Sequence, residues 1–159
     1  MLKALIADDE MKICQLILKL GEWEALGIEI VGICHDGNQC WELINRVKPD
    51  IVLMDIRMPG YSGMELLEKT SRLHQDIAFI IISGYPEFEY AQKAIQFHAK
   101  EFLVKPIDAA KLNQSLRRVA QEFRDKRDLL DLAGRYTAQE HYHKTIRKQQ
   151  ALERLLSDD

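Results

Sequence analysis

Four short apolar runs of the sequence are each followed or closed by a charged or hydroxyl side chain suited to phosphoryl chemistry. The run LKALIA (2–7) precedes three acids, and DIVLMD (50–55) ends in one Asp. Two later runs are followed by a hydroxyl and by an ammonium group. These residues are Asp8, Asp9 and Glu10, then Asp55, Ser83 and Lys105. If the runs are neighbouring parallel strands, these groups converge on one edge of one sheet.

Carboxylates gathered at one edge raise one another's pKa unless a cation lies between them. A hard divalent cation is their usual partner, and Mg²⁺ takes few protein carboxylates together with several waters. Such a cation beside Asp55 also neutralises the charge of an incoming phosphoryl group. Lys105 and the Ser83 hydroxyl are suited to hold phosphoryl oxygens. A carboxylate, unlike an Asn amide, can act as a nucleophile, so we predict that Asp55 forms an aspartyl phosphate.

Each of these residues also has a purely structural interpretation. Asp8 and Asp9 are of the type that caps a following helix. Asp55 lies shortly before Pro59 and is consistent with a turn residue, and Lys105 with a solvated surface lysine. We favour the chemical interpretation because all four strand ends carry chemically matched groups.

Five apolar runs alternate with helical patterns along residues 1–104. The runs are LKALIA (2–7), IEIVGIC (28–34), DIVLMD (50–55), IAFIII (77–82) and EFLV (101–104). Because these runs are continuous rather than alternating, they predict strands buried on both faces. Between them apolar residues recur at helical spacing, as in Tyr90, Ala91, Ala94 and Ile95. The alternation predicts an α/β fold in which helices cover both faces of a parallel sheet.

A fifth helix is expected to begin near Asp108, a predicted N-cap. Its apolar positions predict packing on its own sheet as far as about Phe123. These positions are Leu112, Leu116, Val119 and Phe123. The helix is expected to run to about residue 133, to break at Gly134, and to be followed by another helix at 138–156. Residues from Leu130 onward have no obvious partner within the domain, and a coiled-coil continuation there is short.

Composition and charge predict a soluble cytoplasmic protein. The 159 residues are 47% hydrophobic and 30% charged, with a net charge of −3. Residues 1–108 carry 11 basic and 17 acidic side chains and residues 109–159 carry 11 and 8, a tail charge too weak to predict nucleic-acid binding. Cys14, Cys34 and Cys40 form no CxxC pattern and are expected to be reduced, buried thiols. The sequence has neither a secretion signal at its start nor an apolar run near the ~18 residues of a membrane span.

Four segments resemble the receiver domain of bacterial two-component response regulators. They are ADDE (7–10), DIVLMDIRMPGYSG (50–63), ISGY (82–85) and KEFLVKP (100–106). The resemblance covers about residues 1–125. It implies a flavodoxin-like, doubly wound, five-stranded parallel sheet with strand order 2-1-3-4-5. An extended helical linker is expected at 126–159.

The resemblance also implies roles for individual residues. Asp55 matches the phospho-acceptor. Asp8 and Asp9 match the acids that bind Mg²⁺ together with Asp55, and the backbone carbonyl of Arg57 completes the protein ligands. Lys105 matches the lysine that contacts the phosphoryl group.

The remaining matched positions belong to the conformational switch and to rate control. Ser83 matches the switch hydroxyl, and Phe102 matches the switch aromatic. Phe102 lacks a hydroxyl, so a hydrogen-bonded inward state is unavailable to it, and its structural alternative is core packing. Arg57 and Tyr85 match the positions that tune phosphorylation and dephosphorylation rates.

By the same resemblance, a sensor histidine kinase donates the phosphoryl group, and the domain is no enzyme beyond its own phosphorylation and dephosphorylation. The expected output is homodimerisation, through the face around helices four and five or through the long helix 108–133. The segments 21–37 and 83–95 are similar to receivers that precede an AraC-type DNA-binding domain. No helix-turn-helix unit is recognised here, so we expect a receiver with part of its linker, from a transcription regulator that binds DNA through a missing C-terminal domain.

Three residue patterns bear on alternatives to a phosphorylated receiver. A Mg²⁺-dependent phosphatase of the haloacid-dehalogenase kind needs an acid two residues after its nucleophile, where this chain has Arg57. A pseudo-receiver that folds and binds partners without phosphorylation would not require the acids, Ser83 and Lys105 to be intact. His141 and His143 are two residues apart on a predicted helix and point to different faces, so we interpret them as surface residues.

Overall fold

The computed structural model describes residues 1–73, 76–84 and 88–157. By its internal contacts the chain divides into two units, Met1–Ala120 and Gln121–Asp159. Strands and helices alternate along the chain: β1 (Leu2–Ala7), α1 (Met11–Leu20), β2 (Ile28–Cys34), α2 (Gly37–Val47), β3 (Ile51–Met54), α3 (Gly63–Leu73), β4 (Ala78–Ser83), α4 (Phe88–Gln96), β5 (Glu101–Val104) and α5 (Ala109–Ser157).

The five strands form one sheet of order β2-β1-β3-β4-β5, and every neighbouring pair is parallel. This confirms the α/β class and the strand order that the sequence led us to expect. Helical crossovers are required because a parallel neighbour cannot be reached by a tight turn. The order reverses between β1 and β3, so the carboxyl ends of these two strands border the crevice where such folds place their ligands.

The prediction that the strands are buried on both faces is confirmed only for the central strands of the sheet. All residues of β3 and β4 are buried, and β1 has one exposed residue, Lys3. The prediction was wrong for β2 and β5, whose residues are largely half-buried, with Val104 48% exposed. These two strands are the sheet edges, and each has a strand neighbour on one side only. A continuous apolar run does not by itself distinguish an edge from a centre.

The helices present apolar stripes to the sheet, as the helical spacing predicted. In α3, Met64, Leu66, Leu67 and Thr70 are all buried. The predicted α4 stripe is wrong at one end, because Ala94 is buried whereas Ile95 is 77% exposed. Ile95 is one residue, or about 100°, further around the helix than Ala94, so it points away from the sheet side.

The first part of α5 belongs to the Met1–Ala120 unit and behaves as predicted. The Asp108 carboxylate accepts from the backbone N–H of Ala110 at 2.8 Å, as an N-cap does. Leu112, Leu116 and Val119 are buried. The predicted burial of the apolar face of α5 is therefore confirmed as far as Val119.

The predicted break at Gly134 is wrong, because α5 continues through it to Ser157. A glycine ends a helix when it adopts a left-handed conformation, and the described glycines with positive φ are Gly27 and Gly60. An interior glycine costs a helix only about 1 kcal/mol relative to alanine. Within the Gln121–Asp159 unit, Leu129, Leu130 and Leu132 are exposed, and so are the two histidines interpreted as surface residues.

The three cysteines are free and buried, as the sequence predicted. Burial raises the pKa of the Cys14 thiol to about 11. A hydrogen bond with Cys40, together with burial, raises the pKa of Cys34 further still. Thiols in this state have little thiolate character and are chemically inert.

Candidate functional site

The carboxylates of Asp8 and Asp55 are neighbours because their strands are neighbours. Ala7 on β1 pairs with Met54 on β3, and each acid is the next residue along its strand. The backbone N–H of Asp55 donates to the Ala7 carbonyl at 3.0 Å, which extends the ladder by one step. The sheet register therefore places both acids at the carboxyl ends of neighbouring strands.

The ammonium group of Lys105, which directly follows β5, also lies at the carboxyl ends of the strands. Ser83 and Val104 are paired, and the Lys105 N–H donates to the Ser83 carbonyl at 2.8 Å. From there Lys105 Nζ lies 2.9 Å from Asp8 Oδ2 and 3.1 Å from Asp55 Oδ2. The structure thus brings three of the predicted site residues into direct contact, although they come from positions up to 97 residues apart.

The burial of these three side chains bears on the structural interpretations of Asp55 and Lys105. Relative exposure is 2% for the Asp8 side chain, 7% for Asp55 and 16% for Lys105. Asp55 is therefore no exposed turn residue, and Lys105 is no solvated surface lysine. A buried lysine that bridges two acids compensates charges that burial would otherwise make costly.

The electrostatics of the cluster follow from burial and pairing. Burial raises the pKa of the Asp55 carboxyl above its ordinary value, and the Lys105 hydrogen bond opposes this without cancelling it. For Lys105, burial lowers the pKa, but hydrogen bonds and charges from Asp8 and Asp55 outweigh burial and raise it overall. Lys105 is therefore firmly protonated. Ionisation of the Asp55 carboxyl costs more free energy than ionisation of an exposed aspartate.

The two buried carboxylates use their oxygens in the same way. Asp55 Oδ1 accepts from the Ile56 N–H at 2.7 Å, and Asp8 Oδ1 accepts from the Glu10 N–H at 2.9 Å. Each Oδ2 accepts from Lys105. The backbone therefore fixes the orientation of each carboxylate and directs one oxygen of each towards the shared cation.

The three acids after β1 form the one group of three or more potential ligands, among residues 1–73, 76–84 and 88–157, whose ligand atoms lie close enough together to share a metal ion. Carboxylate oxygens of Asp8, Asp9 and Glu10 lie within 4.8 Å of one another, with Asp8 buried and the other two exposed. The N-cap of α1 is Glu10, whose side chain makes no capping hydrogen bond. Asp8 contacts the Glu10 N–H and Lys105, so it does not serve as the N-cap of α1.

The loop from β3 to α3 holds its shape through close backbone contacts. The Gly63 N–H donates to the Ile56 carbonyl at 2.7 Å, and a Cβ at Gly63 would collide with the Asp55 carbonyl oxygen. The Gly37 N–H donates to the Pro59 carbonyl at 2.8 Å. Any residue larger than glycine at position 63 would displace the backbone directly behind Asp55.

Three of the remaining predicted residues lie on β4, on β5 and in the loop that follows Asp55. Ser83 is fully buried, and Phe102 is half-buried against the core. Ile81 pairs with Phe102 and Ser83 with Val104, so Ser83 and Phe102 lie on the same face of the sheet. Arg57 is exposed two residues after Asp55. Tyr85 lies outside the described residues.

Sequence reasoning missed two residues that contact the carbonyl of Asp8. His35 Nδ1 lies 3.0 Å from this oxygen, and Cys14 Sγ lies 3.6 Å from it. His35 directly follows β2, so the strand-end rule that found the other residues would also have found it. Cys14 lies on α1 and carries no comparable signal in the sequence.

The segment that carries this arrangement matches a known family. Residues 4–117 match the family model of the response regulator receiver domain. The chain belongs to this family. Its doubly wound sheet and strand order are those of receiver domains, and the part of the chain that matches contains the whole candidate site.

Two curated relatives of this receiver domain are named as transcriptional regulatory proteins. The chain is 37% identical over 124 residues to the uncharacterized transcriptional regulatory protein YesN of Bacillus subtilis, covering 78% of this chain and 34% of the relative. It is 35% identical over 121 residues to the transcriptional regulatory protein HptR of Staphylococcus aureus, covering 76% and 47%. The chain thus spans about a third to a half of the length of these relatives.

Solved structures support the same assignment. The receiver domain of AraT, a response regulator from Geobacillus stearothermophilus, superposes with a TM-score of 0.75 at 32% identity, covering 79% of this chain and 98% of that one. A CheY-like receiver from Methanospirillum hungatei, at 24% identity and a TM-score of 0.72, shares the fold. Within the described residues, no helix is both long and apolar enough to cross a membrane.

Proposed function

We propose that this receiver accepts a phosphoryl group on Asp55 from the phosphohistidine of a sensor histidine kinase. The observation that carries the proposal is the contact of Lys105 Nζ with both Asp55 Oδ2 and Asp8 Oδ2, at 3.1 and 2.9 Å. A lysine placed in this way can follow negative charge as it moves from the Asp55 carboxylate to a phosphoryl oxygen. Family membership supports the same role.

The acids that follow β1 fit a magnesium ion. The site offers oxygen ligands only, from a buried Asp8 and an exposed Asp9 close to one another, which is the donor set that Mg²⁺ prefers. Asp8, Asp9 and Asp55 would hold the ion together with the backbone carbonyl of Arg57. When bound, the ion supplies positive charge that neutralises the transferring phosphoryl group.

The protein residues account for the rest of the step. An Asp55 carboxylate oxygen attacks phosphorus, the P–N bond of the phosphohistidine breaks, and the imidazole leaves with the bonding electron pair. The Ile56 N–H keeps Asp55 Oδ1 oriented, so that attack comes from the oxygen on the Lys105 side. Burial of Asp55 limits water access and favours phosphoryl transfer over hydrolysis.

Phosphorylation then alters the switch residues. The phosphoryl group adds a charge of about −2, which attracts Lys105 and the Ser83 hydroxyl. Movement of Ser83 opens space that Phe102, on the same sheet face, can fill. The register of β4 with β5 provides the physical link between the two residues. Arg57 and Tyr85 are proposed to tune the rates of phosphorylation and dephosphorylation.

The output of the switch is proposed from the relatives. We propose that residues 1–125 are the receiver and that 126–159 lead to a DNA-binding domain of the AraC type, with homodimerisation on phosphorylation. The curated relatives are transcriptional regulators and are longer than this chain. On this proposal the regulator is cytoplasmic, is not an enzyme with a substrate of its own, and reaches DNA only through that further domain.

Intact-protein mass spectrometry after incubation with acetyl phosphate and Mg²⁺ tests this proposal. The wild type is expected to gain about 80 Da, the mass of one phosphoryl group bound as an acyl phosphate. Asp55→Ala should show no gain, whereas Asp128→Ala, which removes an exposed acid from α5, should gain as the wild type does. A folded wild type that gains no mass would refute phosphoryl acceptance and leave a pseudo-receiver, an interaction domain without phosphorylation.

A further inference from the structure

A lysine, a tyrosine and a tryptophan form a compact cluster beside the loop that follows Asp55. Lys69 Nζ lies 4.2 Å from the centre of the Tyr61 ring and 4.6 Å from the centre of the Trp41 ring. The same ammonium donates to the Tyr61 hydroxyl at 3.2 Å. Both ring distances are well within the range of a cation–π interaction. The three side chains come from α3, from the β3–α3 loop and from α2.

The lysine is half-buried, as are both aromatic rings. The neighbouring acid Glu68 is engaged elsewhere, by an ion pair with Arg72 at 2.9 Å. The Lys69 ammonium interacts instead with the rings of Tyr61 and Trp41 and with the Tyr61 hydroxyl. A cation–π contact is stronger when the cation is partly removed from water.

Tyr61 is held by its backbone as well as by its ring. Its carbonyl oxygen packs directly against Gly37 at the start of α2, where a Cβ would collide with it. The Gly37 N–H donates to Pro59, two residues earlier in the same loop. The Lys69 cluster, defined as Lys69, Tyr61 and Trp41, therefore anchors the part of the loop that follows Pro59 along the chain.

The other end of this loop carries the proposed metal ligands. Asp55 opens the loop, and Arg57 is proposed to offer its backbone carbonyl to Mg²⁺. Gly63 closes the loop by donating to Ile56 at 2.7 Å. A loop anchored at Tyr61 has fewer conformations available, so the Arg57 carbonyl is more often in the position that binds the ion.

We propose that the Lys69 cluster is a positioning device that sets the Mg²⁺ affinity of this receiver by fixing the loop that follows Asp55. Lys69 acts through Tyr61 and through the loop backbone and does not itself touch the ion. The inference rests on the proposed function, because it takes Asp55 and the Arg57 carbonyl as ligands. On this inference the Lys69 cluster controls how tightly Asp8, Asp9 and Asp55 bind Mg²⁺, although none of its three residues is a ligand.

Trp41 emission reports on the Lys69 cluster, because Lys69 Nζ lies 4.6 Å from the centre of the Trp41 ring. The chain contains two tryptophans, so a Trp23→Phe background leaves Trp41 as the only one. Mg²⁺ is titrated into the full chain while Trp41 emission is followed, and calorimetric titration of the chain with both tryptophans provides an independent dissociation constant. Lys69→Met keeps much of the side-chain length and removes the charge.

Lys69→Met is expected to weaken Mg²⁺ binding about tenfold, the lower end of the effect of residues that orient metal ligands. Lys69→Arg, which retains a cation above both rings, should restore most of the affinity. Lys111→Met removes an exposed lysine from α5 and should leave the affinity at the wild-type value. Urea unfolding of each variant in EDTA separates a change in affinity from a general loss of stability.

The outcomes separate this inference from the proposed function. If the wild type takes up a phosphoryl group and Lys69→Met binds Mg²⁺ as tightly as the wild type, the positioning role is refuted while phosphoryl acceptance stands. If Lys69→Arg is as weak as Lys69→Met, the cation–π basis is refuted. If Lys69→Met binds Mg²⁺ more weakly than the wild type, but the wild type takes up no phosphoryl group, the proposed function fails and the positioning role is upheld.

Discussion

Replacing Lys105 by Met tests whether the bridging lysine compensates the two buried acids. The Met side chain keeps most of the apolar stem and removes the ammonium that lies 2.9 Å from Asp8 and 3.1 Å from Asp55. In metal-free buffer the two carboxylates then remain buried without a cation between them. We expect the folded state to lose stability at neutral pH.

The size of the loss follows from burial. Removing one partner of a buried ion pair costs about 3–5 kcal/mol. The Lys105 side chain is 16% exposed, so solvent partly screens its charge. The expected loss of unfolding free energy therefore lies near the lower end of this range, at about 3 kcal/mol. With a denaturant dependence of about 2 kcal/mol per molar of urea, the unfolding midpoint should fall by about 1.5 M.

Urea unfolding in EDTA, followed by circular dichroism, measures this loss. Lys111→Met is the matched control and should stay within about 0.5 kcal/mol of the wild type, as exposed substitutions do. Adding Asp55→Asn to Lys105→Met should recover about 1–2 kcal/mol, because one of the uncompensated charges is gone. The reasoning is refuted if Lys105→Met unfolds at the wild-type midpoint, or if the second substitution recovers nothing.

Three further predictions concern the surroundings of the site. Asn113→Ala should lose about 2 kcal/mol in urea unfolding, since its buried side chain makes hydrogen bonds at 2.8 and 3.0 Å to the backbone at the end of α1, each worth about 1 kcal/mol. Asn113→Asp should lose more, because it places a buried carboxylate oxygen against the Leu20 and Ala109 carbonyl oxygens that the Asn113 amide donates to; a smaller loss than that of Asn113→Ala would contradict this. Gly37→Ala should lower both stability and the phosphorylation rate, because the added Cβ meets the Tyr61 carbonyl; a variant with wild-type behaviour in both assays would show that the loop can shift freely. Cys14 should resist alkylation at pH 8 in the folded protein and react in urea, because burial raises its pKa to about 11; rapid labelling without urea would contradict the burial.

Much of the site could be found from the sequence, because strand ends are local features. An apolar run that stops at Asp8 or at Asp55 shows where the chain leaves the core, and parallel order places such ends at one edge. His35 was missed although it also follows a strand. Cys14 and the Lys69 cluster were missed for a different reason, because their contacts join elements whose spacing in the sequence carries no signal.

The sequence determined the alternation of strands and helices, the set of strand-end residues and the membership of the receiver family. These features depend on the periodicity of single segments and on short motifs, both of which are written along the chain. Only the tertiary structure decided that most residues of β2 and β5 are half-buried, that α5 continues through Gly134, and that Lys105 bridges two buried acids. Those outcomes depend on which segments become neighbours in space, and on burial, which is a property of the packed molecule rather than of any one segment.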